Sequence, residues 1–483
     1  MSPTAQVRDN LETLRLHVGR NTPDEHKAHL GQYMTPGNIG RFMASMFERT
    51  SGPCRLIDPG AGIGSLTAAF LDRWQESFVS VAVTAYECDP AMHEHLAETV
   101  GQYRVEANIV HADFIDMAVL QLKGFAPTGY THAIINPPYK KINTESRHRH
   151  TLRKVGIETV NLYSAFTALV VLLMENGGEV VAIIPRSFCN GPFYQPFREL
   201  LLDQAAVKHV HLFGSRKKAF KDDNVLQENV IIHLVKGATQ GDVIVSLSSD
   251  PHFHDYEERS YPFDQIVQGP EKFIHLPTKE NVEIHPRFDC GLKDIGIEVS
   301  TGPVVDFRLR EFIHSEPVEG SVPLLYATHF AGQTIEWPKA GKKPNAIMNV
   351  SEAQKWLYPN NGFYTVTRRF SSKEEKRRIT ASVCDPAAFE GAMALGFENH
   401  LNVFHTKRTG LAEEIARGLA VYLNSSMIDE HFRSFNGHTQ VNATDLRLLK
   451  YPDRATLFVL GAWAKDKGSL TQKDIDVKLS ELQ

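Results

Sequence analysis

Residues 136–139, Asn-Pro-Pro-Tyr, form the segment whose residue types and spacing suit chemistry most clearly. Two consecutive prolines fix φ and lack amide hydrogens, so they predict a rigid, non-helical bend after a strand that ends at Asn136. Such a bend can present the side-chain oxygen of Asn136 and the carbonyl of Pro137 toward a pocket. These acceptors could hold both hydrogens of a ring-conjugated amine and direct its lone pair at an electrophile. Tyr139 would offer an aromatic face to that ring.

A glycine-rich turn lies earlier in the chain, at residues 58–64, Asp-Pro-Gly-Ala-Gly-Ile-Gly. It follows a predicted strand and opens a predicted helix, where Gly60 and Gly62 would let the backbone approach a ligand closely. The spacing is G-x-G-x-G, and no Lys-Ser or Lys-Thr pair follows, which argues against a phosphate-binding P-loop. By itself the turn fits several nucleotide-binding folds.

Carboxylates follow two further predicted strands. Glu87 is placed to accept hydrogen bonds from both ribose hydroxyls of a nucleoside, whereas Asp89, which precedes Pro90, is predicted to cap the next helix. Asp113 could accept a hydrogen bond from the amino group of an adenine while Phe114 packs on the ring. The alternative for Asp113 is an aspartate in a surface turn.

The order of these motifs resembles the cofactor-binding half of the class I S-adenosylmethionine-dependent methyltransferases. Residues 32–36, Gln-Tyr-Met-Thr-Pro, resemble the segment that precedes this half in the DNA amino-methyltransferases. The resemblance implies that Tyr33, Met34 and Thr35 cover the methionine end of S-adenosylmethionine. It also implies that Asp58 lies near the ammonium group of this cofactor and that Asn136 contacts it.

The order of cofactor segment, catalytic segment and extra domain resembles the γ class, and much of the chain resembles the Eco57I-like and BsuBI/PstI-type modification enzymes. The resemblance implies transfer of a methyl group to N6 of an adenine flipped out of double-stranded DNA. In this superfamily asparagine at position 136 favours adenine N6, and serine there goes with cytosine N4. Phe220 would stack on the flipped base opposite Tyr139; the alternative is a loop aromatic that simply packs. A cognate restriction endonuclease acting on the same site is a possible partner.

The elements that must position these residues alternate between strands and helices, which predicts an α/β fold with a doubly wound, mostly parallel sheet. The resemblance implies a seven-stranded, Rossmann-like methyltransferase sheet and a C-terminal α+β target-recognition domain. Strands are predicted at residues 55–58, 79–87, 132–136, 179–184, 207–213 and 230–235, and helices at 64–74, 90–100 and 162–175. A helix start is predicted at residues 22–25, Thr-Pro-Asp-Glu.

Composition and pattern divide the chain into five stretches. These are an N-terminal helical segment (1–30), the catalytic domain (31–245), a connecting region (246–285), the target-recognition domain (286–455) and a C-terminal tail predicted to be helical (456–483).

The net charge of −5 does not by itself indicate nucleic-acid binding, but basic residues cluster at 140–154 and 363–378. Clustered cations suit DNA phosphates, and amide side chains suit base edges. The predicted phosphate contacts are Lys140, Lys141, Lys217, Lys218, Arg368 and Arg369, and the predicted base contacts are Gln440 and Asn442. For any single residue of the 435–442 stretch, a loop with turn chemistry is an equally good interpretation.

Other features restrict the function further. The sequence has no apolar run of membrane-spanning length, a polar N-terminus and five scattered cysteines, which together predict a cytoplasmic protein with no zinc site. The Glu374-x-Lys376 pattern lies in a charge-rich stretch and is interpreted as surface rather than as a nuclease site. Two alternatives remain: a class I methyltransferase acting on RNA or on a protein glutamine, and a DNA-specificity subunit without catalytic activity.

Overall fold

The computed structural model describes residues 3–23, 25, 31, 34–125, 129–213, 229–277, 288–371, 375–435 and 439–482. The chain forms two compact units, Met1–Leu276 and Pro277–Gln483, which we call unit 1 and unit 2. No helix within the described ranges is both long and apolar enough to span a membrane.

Unit 1 is built on a nine-stranded sheet with the order β3-β2-β1-β4-β5-β7-β6-β8-β9. Strands β3, β2, β1, β4 and β5 are parallel, and β7 lies antiparallel between β5 and β6. The strands are β1 Pro53–Pro59, β2 Ser80–Tyr86, β3 Glu106–Val110, β4 Tyr130–Ile135, β5 Met174–Pro185, β6 Ala205–Phe213, β7 Asn229–Lys236, β8 Val243–Ser248 and β9 Glu257–Tyr261. All six strands predicted by position are present.

The sheet has nine strands rather than the predicted seven. Strand β8 pairs in parallel with β6, and β9 pairs antiparallel with β8. The predicted boundary between the catalytic domain and a connecting region, at residues 245 and 246, is therefore wrong. It falls inside β8, and both β8 and β9 belong to the sheet of unit 1. Strand β9 was missed because it is an edge strand with mostly exposed residues, so it lacks the apolar alternation that marks a half-buried strand.

Helices cover both faces of this sheet, as predicted. They are α1 Pro3–Asn21, α2 Gly37–Ser45, α3 Ser65–Trp74, α4 Pro90–Gly101, α5 Phe114–Leu122, α6 Arg147–Arg153, α7 Leu162–Leu173, α8 Gln195–Gln204 and the short α9 Phe263–Ile266. Neighbouring strand residues point to opposite faces. Accordingly Leu56 packs in the core formed with α2 and α3, and Ile57 packs in the core formed with α5, α7 and α8.

One helix boundary differs from the prediction, and one predicted helix start is only partly described. Helix α7 ends at Leu173, and Met174 already begins β5, so the predicted helix 162–175 is two residues too long. Thr22 follows the end of α1, where its amide and hydroxyl both donate to the carbonyl of Val18. Glu25, the last residue of the predicted helix start, is helical, and residues 24 and 26–30 lie outside the described residues, so this helix start stays a prediction. A Thr-Pro pair fits either role, because threonine can bond a preceding carbonyl as well as cap a following turn.

The parallel strands direct the candidate residues to one edge of the sheet. Strand β1 ends at Pro59, within the glycine-rich turn. Strand β2 ends at Tyr86, directly before Glu87, and strand β4 ends at Ile135, directly before Asn136. The carboxyl ends of parallel strands meet at the same edge, which is where open α/β sheets bind ligands. The topology therefore brings the separate sequence motifs together.

Unit 2 contains a six-stranded sheet, β12-β22-β19-β20-β16-β15, and a five-stranded sheet, β13-β17-β14-β21-β18. Its strands are β12 Glu298–Thr301, β13 Ile313–His314, β14 Ser321–Leu325, β15 Phe330–Ala331, β16 Thr334–Ile335, β17 Ala346–Met348, β18 Leu357–Pro359, β19 Tyr364–Arg368, β20 Ala381–Cys384, β21 Ala394–Phe397 and β22 Leu401–His405. The two remaining strands, β10 Val267–Gln268 and β11 Phe273–Ile274, pair with each other in unit 1. Mostly antiparallel sheets followed by helices agree with the predicted α+β character.

Among the residues of unit 2 that the structure describes, five α-helices follow the sheets: α10 Glu413–Leu423, α11 Ser426–Phe435, α12 Ala443–Leu448, α13 Arg454–Lys467 and α14 Gln472–Glu481. The prediction of a helical tail is confirmed by α13 and α14. Its separation from the preceding domain is wrong, because Leu457, Leu460 and Ile475 belong to the same apolar core as α10. Burial of these side chains fixes the last helices to the unit.

Candidate active site

The glycine-rich turn joins β1 to α3 in a backbone conformation that glycine favours. Gly60 and Gly62 have φ values of 77° and 56°, in the left-handed region that side chains other than glycine rarely adopt. The amides of Gly60 and Ala61 donate to the carbonyl of Tyr86 at the end of β2, at 2.8 and 3.0 Å. The turn is thereby fixed against the neighbouring strand beside Glu87.

A pocket lies at this edge of the sheet, and it brings together nine of the predicted residues. Those nine are Met34, Thr35, Asp58, Gly60, Gly62, Glu87, Asp113, Phe114 and Asn136. Tyr33 lies outside the described residues. Pro137 and Tyr139 are not in its lining, although Pro138 between them is. The pocket is thus formed from separate stretches of the chain.

The other lining residues were not predicted from the sequence. They are Gly31, Ala61, Ile63, Ser65, Leu66, Tyr86, Cys88, Met92, Ala112, Pro138 and Phe166. Apolar members such as Leu66, Met92 and Phe166 lie on helices α3, α4 and α7. Their spacing on a helix is that of ordinary core residues, so nothing in the sequence separates a pocket wall from the core.

Asp58 is the buried carboxylate of this pocket, with 1% of its surface exposed. Its Oδ2 accepts a hydrogen bond from Thr67 Oγ1 at 2.6 Å, and its buried Oδ1 has no hydrogen-bond partner in the described part of the chain. Burial raises the pKa of Asp58 to about 7. A buried carboxylate oxygen without a partner is costly, and a cationic group can offset that cost. Asp58 therefore fits the ammonium group of S-adenosylmethionine.

This pKa predicts a pH-dependent affinity for the cofactor. An ammonium group binds the ionised form of Asp58 best, so affinity should rise as the pH rises through 7. Between pH 6 and 7.5 the ionised fraction of a group with this pKa grows roughly eightfold, while the protonated fraction of an α-amino group falls to about 60–75%, so the net gain in affinity is about five- to sixfold. We expect the Kd of S-adenosylhomocysteine, measured calorimetrically, to fall by about that factor. In Asp58→Asn binding should be weaker and nearly independent of pH; an equally steep profile in this variant would contradict the assignment.

Glu87 is buried at the end of β2 and contacts backbone amides on both sides. Its Oε2 accepts from the amide of Gly62 at 2.8 Å, and its Oε1 accepts from the amide of Asp89 at 2.7 Å. Burial raises the pKa of Glu87. A carboxylate can accept about four hydrogen bonds, so these two amides orient Glu87 and are compatible with contacts to a ribose. Asp89 accepts from the amide of Ala91 at 3.1 Å and caps α4, which confirms its predicted role.

Asp113 has contacts that neither of its predicted roles included. Its Oδ1 accepts from the amide of Ile115 at 2.9 Å and caps α5, and its Oδ2 lies 2.8 Å from His148 Nε2. Burial acts to raise the pKa of Asp113, but the hydrogen bond and charge of His148 outweigh it, so the pKa is lowered. Asp113 therefore orders the start of α5 and anchors α6 in addition to lining the pocket. No pattern in the sequence pairs these two side chains.

The Asn-Pro-Pro-Tyr segment is fixed by three contacts. Asn136 Nδ2 donates to Thr35 Oγ1 at 3.0 Å, which turns the amide nitrogen toward Thr35 and the side-chain oxygen to the other side. The amide of Tyr139 donates to the carbonyl of Gly31 at 3.1 Å. Its hydroxyl donates to the carbonyl of Ile183 on β5 at 3.1 Å. The segment is thus rigid, and a partly exposed Tyr139 ring remains beside it.

The predicted phosphate contacts in unit 1 are only partly described. Lys140 and Lys141 are exposed and directly follow the Asn-Pro-Pro-Tyr segment. Phe220, Lys217 and Lys218 lie outside the described residues.

In unit 2 the basic stretch 363–378 does not form one exposed face. Arg378 is fully buried, and its Nε donates to Ser371 Oγ at 3.0 Å. Arg377 donates to the carbonyl of Ser425 at 2.7 Å. These arginines stabilise the fold, so the interpretation of the whole stretch as a phosphate-binding surface is wrong. The number of charges in a stretch does not show which cations are buried or hydrogen-bonded within the fold.

The remaining DNA candidates lie on two neighbouring stretches of unit 2. Arg368 and Arg369 are at the end of β19, where Arg369 donates to the carbonyl of Asn399 at 3.1 Å. Gln440 forms an isolated bridge with Phe370. Asn442 precedes α12, and both its amide and Nδ2 donate to Asp445 Oδ2, at 2.9 and 3.2 Å. Asn442 therefore has a structural role at a helix start that competes with its predicted contact to a base.

Comparisons with known proteins agree with this geometry. The family described as Eco57I restriction-modification methylase matches residues 85–220. The type II methyltransferase M.BsuBI of Bacillus subtilis is 49% identical over 495 residues, which cover 99% of this chain and 98% of that protein. The type II methyltransferase M.PstI of Providencia stuartii is 43% identical over 487 residues, which cover 96% and 95% of the two chains.

Among solved structures, the DrdV–DNA complex determined by cryo-electron microscopy is similar with a TM-score of 0.51 and 13% identity, over 96% of this chain and 60% of that chain. At this identity the similarity concerns the fold alone. The two sequence relatives, in contrast, are similar over nearly their whole length. This chain therefore belongs to the S-adenosylmethionine-dependent type II restriction-modification methyltransferases, the family that includes M.BsuBI and M.PstI.

Proposed function

We propose that the protein transfers a methyl group from S-adenosylmethionine to N6 of an adenine that is flipped out of double-stranded DNA at a specific sequence. The observation that carries this proposal is the position of Asn136, whose amide nitrogen is bonded to Thr35 in the wall of a pocket that also contains Asp58 and Glu87. A side chain that can accept a hydrogen bond from the target amine therefore lies beside carboxylates suited to the cofactor. Modification within a restriction-modification system is the role that follows.

The residues of the chain act by positioning and electrostatics. When bound, S-adenosylmethionine supplies a methyl group on a sulfonium, which needs no nucleophile from the enzyme. The Asn136 oxygen and the Pro137 carbonyl accept hydrogen bonds from the two N6 hydrogens, which directs the nitrogen lone pair away from the ring. The nitrogen gains the methyl group and releases one of its two protons to solvent. Tyr139 offers its ring to the flipped base, with its hydroxyl bonded to the carbonyl of Ile183. Asp58 and Glu87 hold the amino-acid and ribose ends of the cofactor.

Unit 2 would recognise the target sequence. The residues suited to base edges and to the flanking phosphates, such as Gln440, Arg368 and Arg369, lie there, while the cofactor pocket lies wholly in unit 1. Sequence recognition requires contacts to base edges in addition to phosphate contacts. This division of labour is what distinguishes the proposal from a methyltransferase for RNA or for a protein glutamine.

Transfer of a labelled methyl group tests the proposal. Purified protein is incubated with labelled S-adenosylmethionine and either random-sequence duplex DNA, RNA or a glutamine-containing protein, and digested nucleosides are identified by mass spectrometry. Label in N6-methyladenine from DNA supports the proposal. N4-methylcytosine, or label only in RNA or protein, would contradict it, and DNA binding without transfer would favour a specificity subunit.

The exposed lysines after the catalytic segment allow a separate prediction about phosphate contacts. Each neutralised phosphate contributes about −0.9 to the slope of log K against log salt. We expect Lys141→Gln to weaken binding to all duplexes equally and to make this slope shallower by about that amount. Lys208→Gln, on β6 of the same unit, is the matched control. A change that depends on the duplex sequence would instead make Lys141 a base contact.

A further inference from the structure

Three stretches of unit 2 meet in a surface cluster that contains three residues without an assigned role. We define the His400 cluster as Arg369, Phe370, Glu398, His400 and Gln440. The amide of Arg369 donates to the carbonyl of His400 at 2.8 Å, and the rings of Phe370 and His400 lie 4.9 Å apart. Phe370 forms an isolated bridge with Gln440. Of the two residues already considered for DNA binding, Arg369 therefore contacts His400 directly and Gln440 contacts its neighbour Phe370.

The exposed part of the cluster suits nucleic acid. The Phe370 residue is 44% exposed, and the His400 side chain is 46% exposed. Glu398, the carboxylate of the cluster, is only 1% exposed and is bonded to His400, so its charge lies below the surface. Solvent therefore meets an aromatic ring, an imidazole, an amide and an arginine. Aromatic, amide and basic side chains are the types that contact bases and phosphates.

Glu398 fixes the position of His400. Its Oε2 accepts from the backbone amide of His400 at 2.9 Å, and its Oε1 hydrogen-bonds to the imidazole Nδ1. Burial raises the pKa of Glu398. When Glu398 is ionised, its oxygens only accept, and Nδ1 then carries the hydrogen in this pair. The other ring nitrogen, Nε2, is then the atom that can contact a base edge.

The backbone around Glu398 is fixed as well. The amide of Asn399 donates to the carbonyl of Val304 at 2.9 Å, and the amide of Leu401 donates to the carbonyl of Glu398 at 3.0 Å. Gly302 packs so closely that a Cβ atom there would lie 2.2 Å from the carbonyl oxygen of Glu398. The Ser-Thr-Gly-Pro stretch at residues 300–303 thus allows this approach. A side chain that must distinguish bases benefits from such support, because its position is set before the ligand binds.

We propose that His400 is a specificity-determining residue that contacts a base edge of the target DNA through Nε2, with Glu398 as its positioning residue and Phe370 as its support. This inference deepens the proposed function and rests on it. A base contact of this kind should affect one position of the recognised sequence, because one imidazole nitrogen reaches one base edge.

The test measures sequence preference directly, so it applies whatever target the enzyme recognises. The full-length enzyme methylates a library of random duplexes, and the modified adenines and their flanking bases are sequenced. We expect His400→Ala to reduce the preference for one base at one position by about 2- to 12-fold, as for loss of one hydrogen bond. His400→Gln and Glu398→Gln should relax the same position. His314→Gln, on β13 of the five-stranded sheet, should leave the preference unchanged.

The outcomes separate this inference from the proposed function. An unchanged preference for His400→Ala, with a thermal unfolding temperature equal to that of the unaltered enzyme, would overturn the role of His400 alone. Uniform loss of affinity across all sequences, with a shallower salt dependence, would also overturn it by making His400 a phosphate contact. Absence of N6-methyladenine with the unaltered enzyme would overturn the proposed function, and this inference with it.

Discussion

Replacement of Asn136 by alanine is expected to lower kcat for methyl transfer by about 10²- to 10³-fold while leaving the affinity for S-adenosylmethionine nearly unchanged. Removal of one preorganised polar contact in an active site costs on the order of 2.7–4 kcal/mol of transition-state stabilisation. Asn136 would act on the target amine, whereas Asp58 and Glu87 hold the cofactor. Single-turnover transfer and calorimetric binding of S-adenosylhomocysteine measure the two effects separately.

Thr35→Val is the matched control for this variant. It retains Asn136 but removes the hydroxyl that accepts a hydrogen bond from Asn136 Nδ2. The amide would then lose its orientation, so we expect a decrease in kcat that is smaller than that of Asn136→Ala. Retention of more than about a tenth of the turnover by Asn136→Ala would exclude the proposed role, since loss of one contact of this type lowers the rate by about 10²-fold or more.

Removal of unit 2 is expected to abolish sequence discrimination and to preserve cofactor binding. Sequence-specific proteins bind their sites about 10³-fold or more tightly than other DNA. A fragment comprising Met1–Leu276 retains the sheet, its core and the whole pocket lining, but lacks Gln440 and the His400 cluster. The ratio of affinities for the recognised and scrambled duplexes should therefore approach one. Competition binding with the two duplexes measures it.

The endpoint of the fragment is set by the structure. A fragment that ends at residue 245 would cut through β8 and remove β9, which leaves an unpaired edge on the sheet. The full-length variant Gln440→Ala is the companion experiment and should change the preference between sequences without abolishing it. If the fragment ending at Leu276 folds, binds cofactor and still distinguishes the two duplexes, unit 2 is not the recognition domain.

Local sequence was sufficient to predict that the main motifs meet at one edge of the sheet. Each of the main motifs, the glycine-rich turn, Glu87 and the Asn-Pro-Pro-Tyr segment, directly follows a strand with a strong apolar pattern. Alternating strands and helices imply a parallel sheet, and the carboxyl ends of parallel strands meet at one edge. Proximity of these motifs therefore follows from connectivity and does not depend on how the side chains pack. The cap at Asp89 was predictable for the same reason, because it depends on neighbouring residues only.

Tertiary structure alone decided the contacts that join distant parts of the chain. Asn136 meets Thr35 across 101 residues, and Asp113 meets His148 across 35, in pairs that no periodicity indicates. Arg378 belongs to a stretch that was predicted to be a cationic surface, but it is buried and stabilises the core. Strand β9, with its exposed and charged residues, is a strand only because β8 lies beside it. Periodicity reports which face of an element is apolar, but partners, burial of charges and edge pairing depend on how the elements pack.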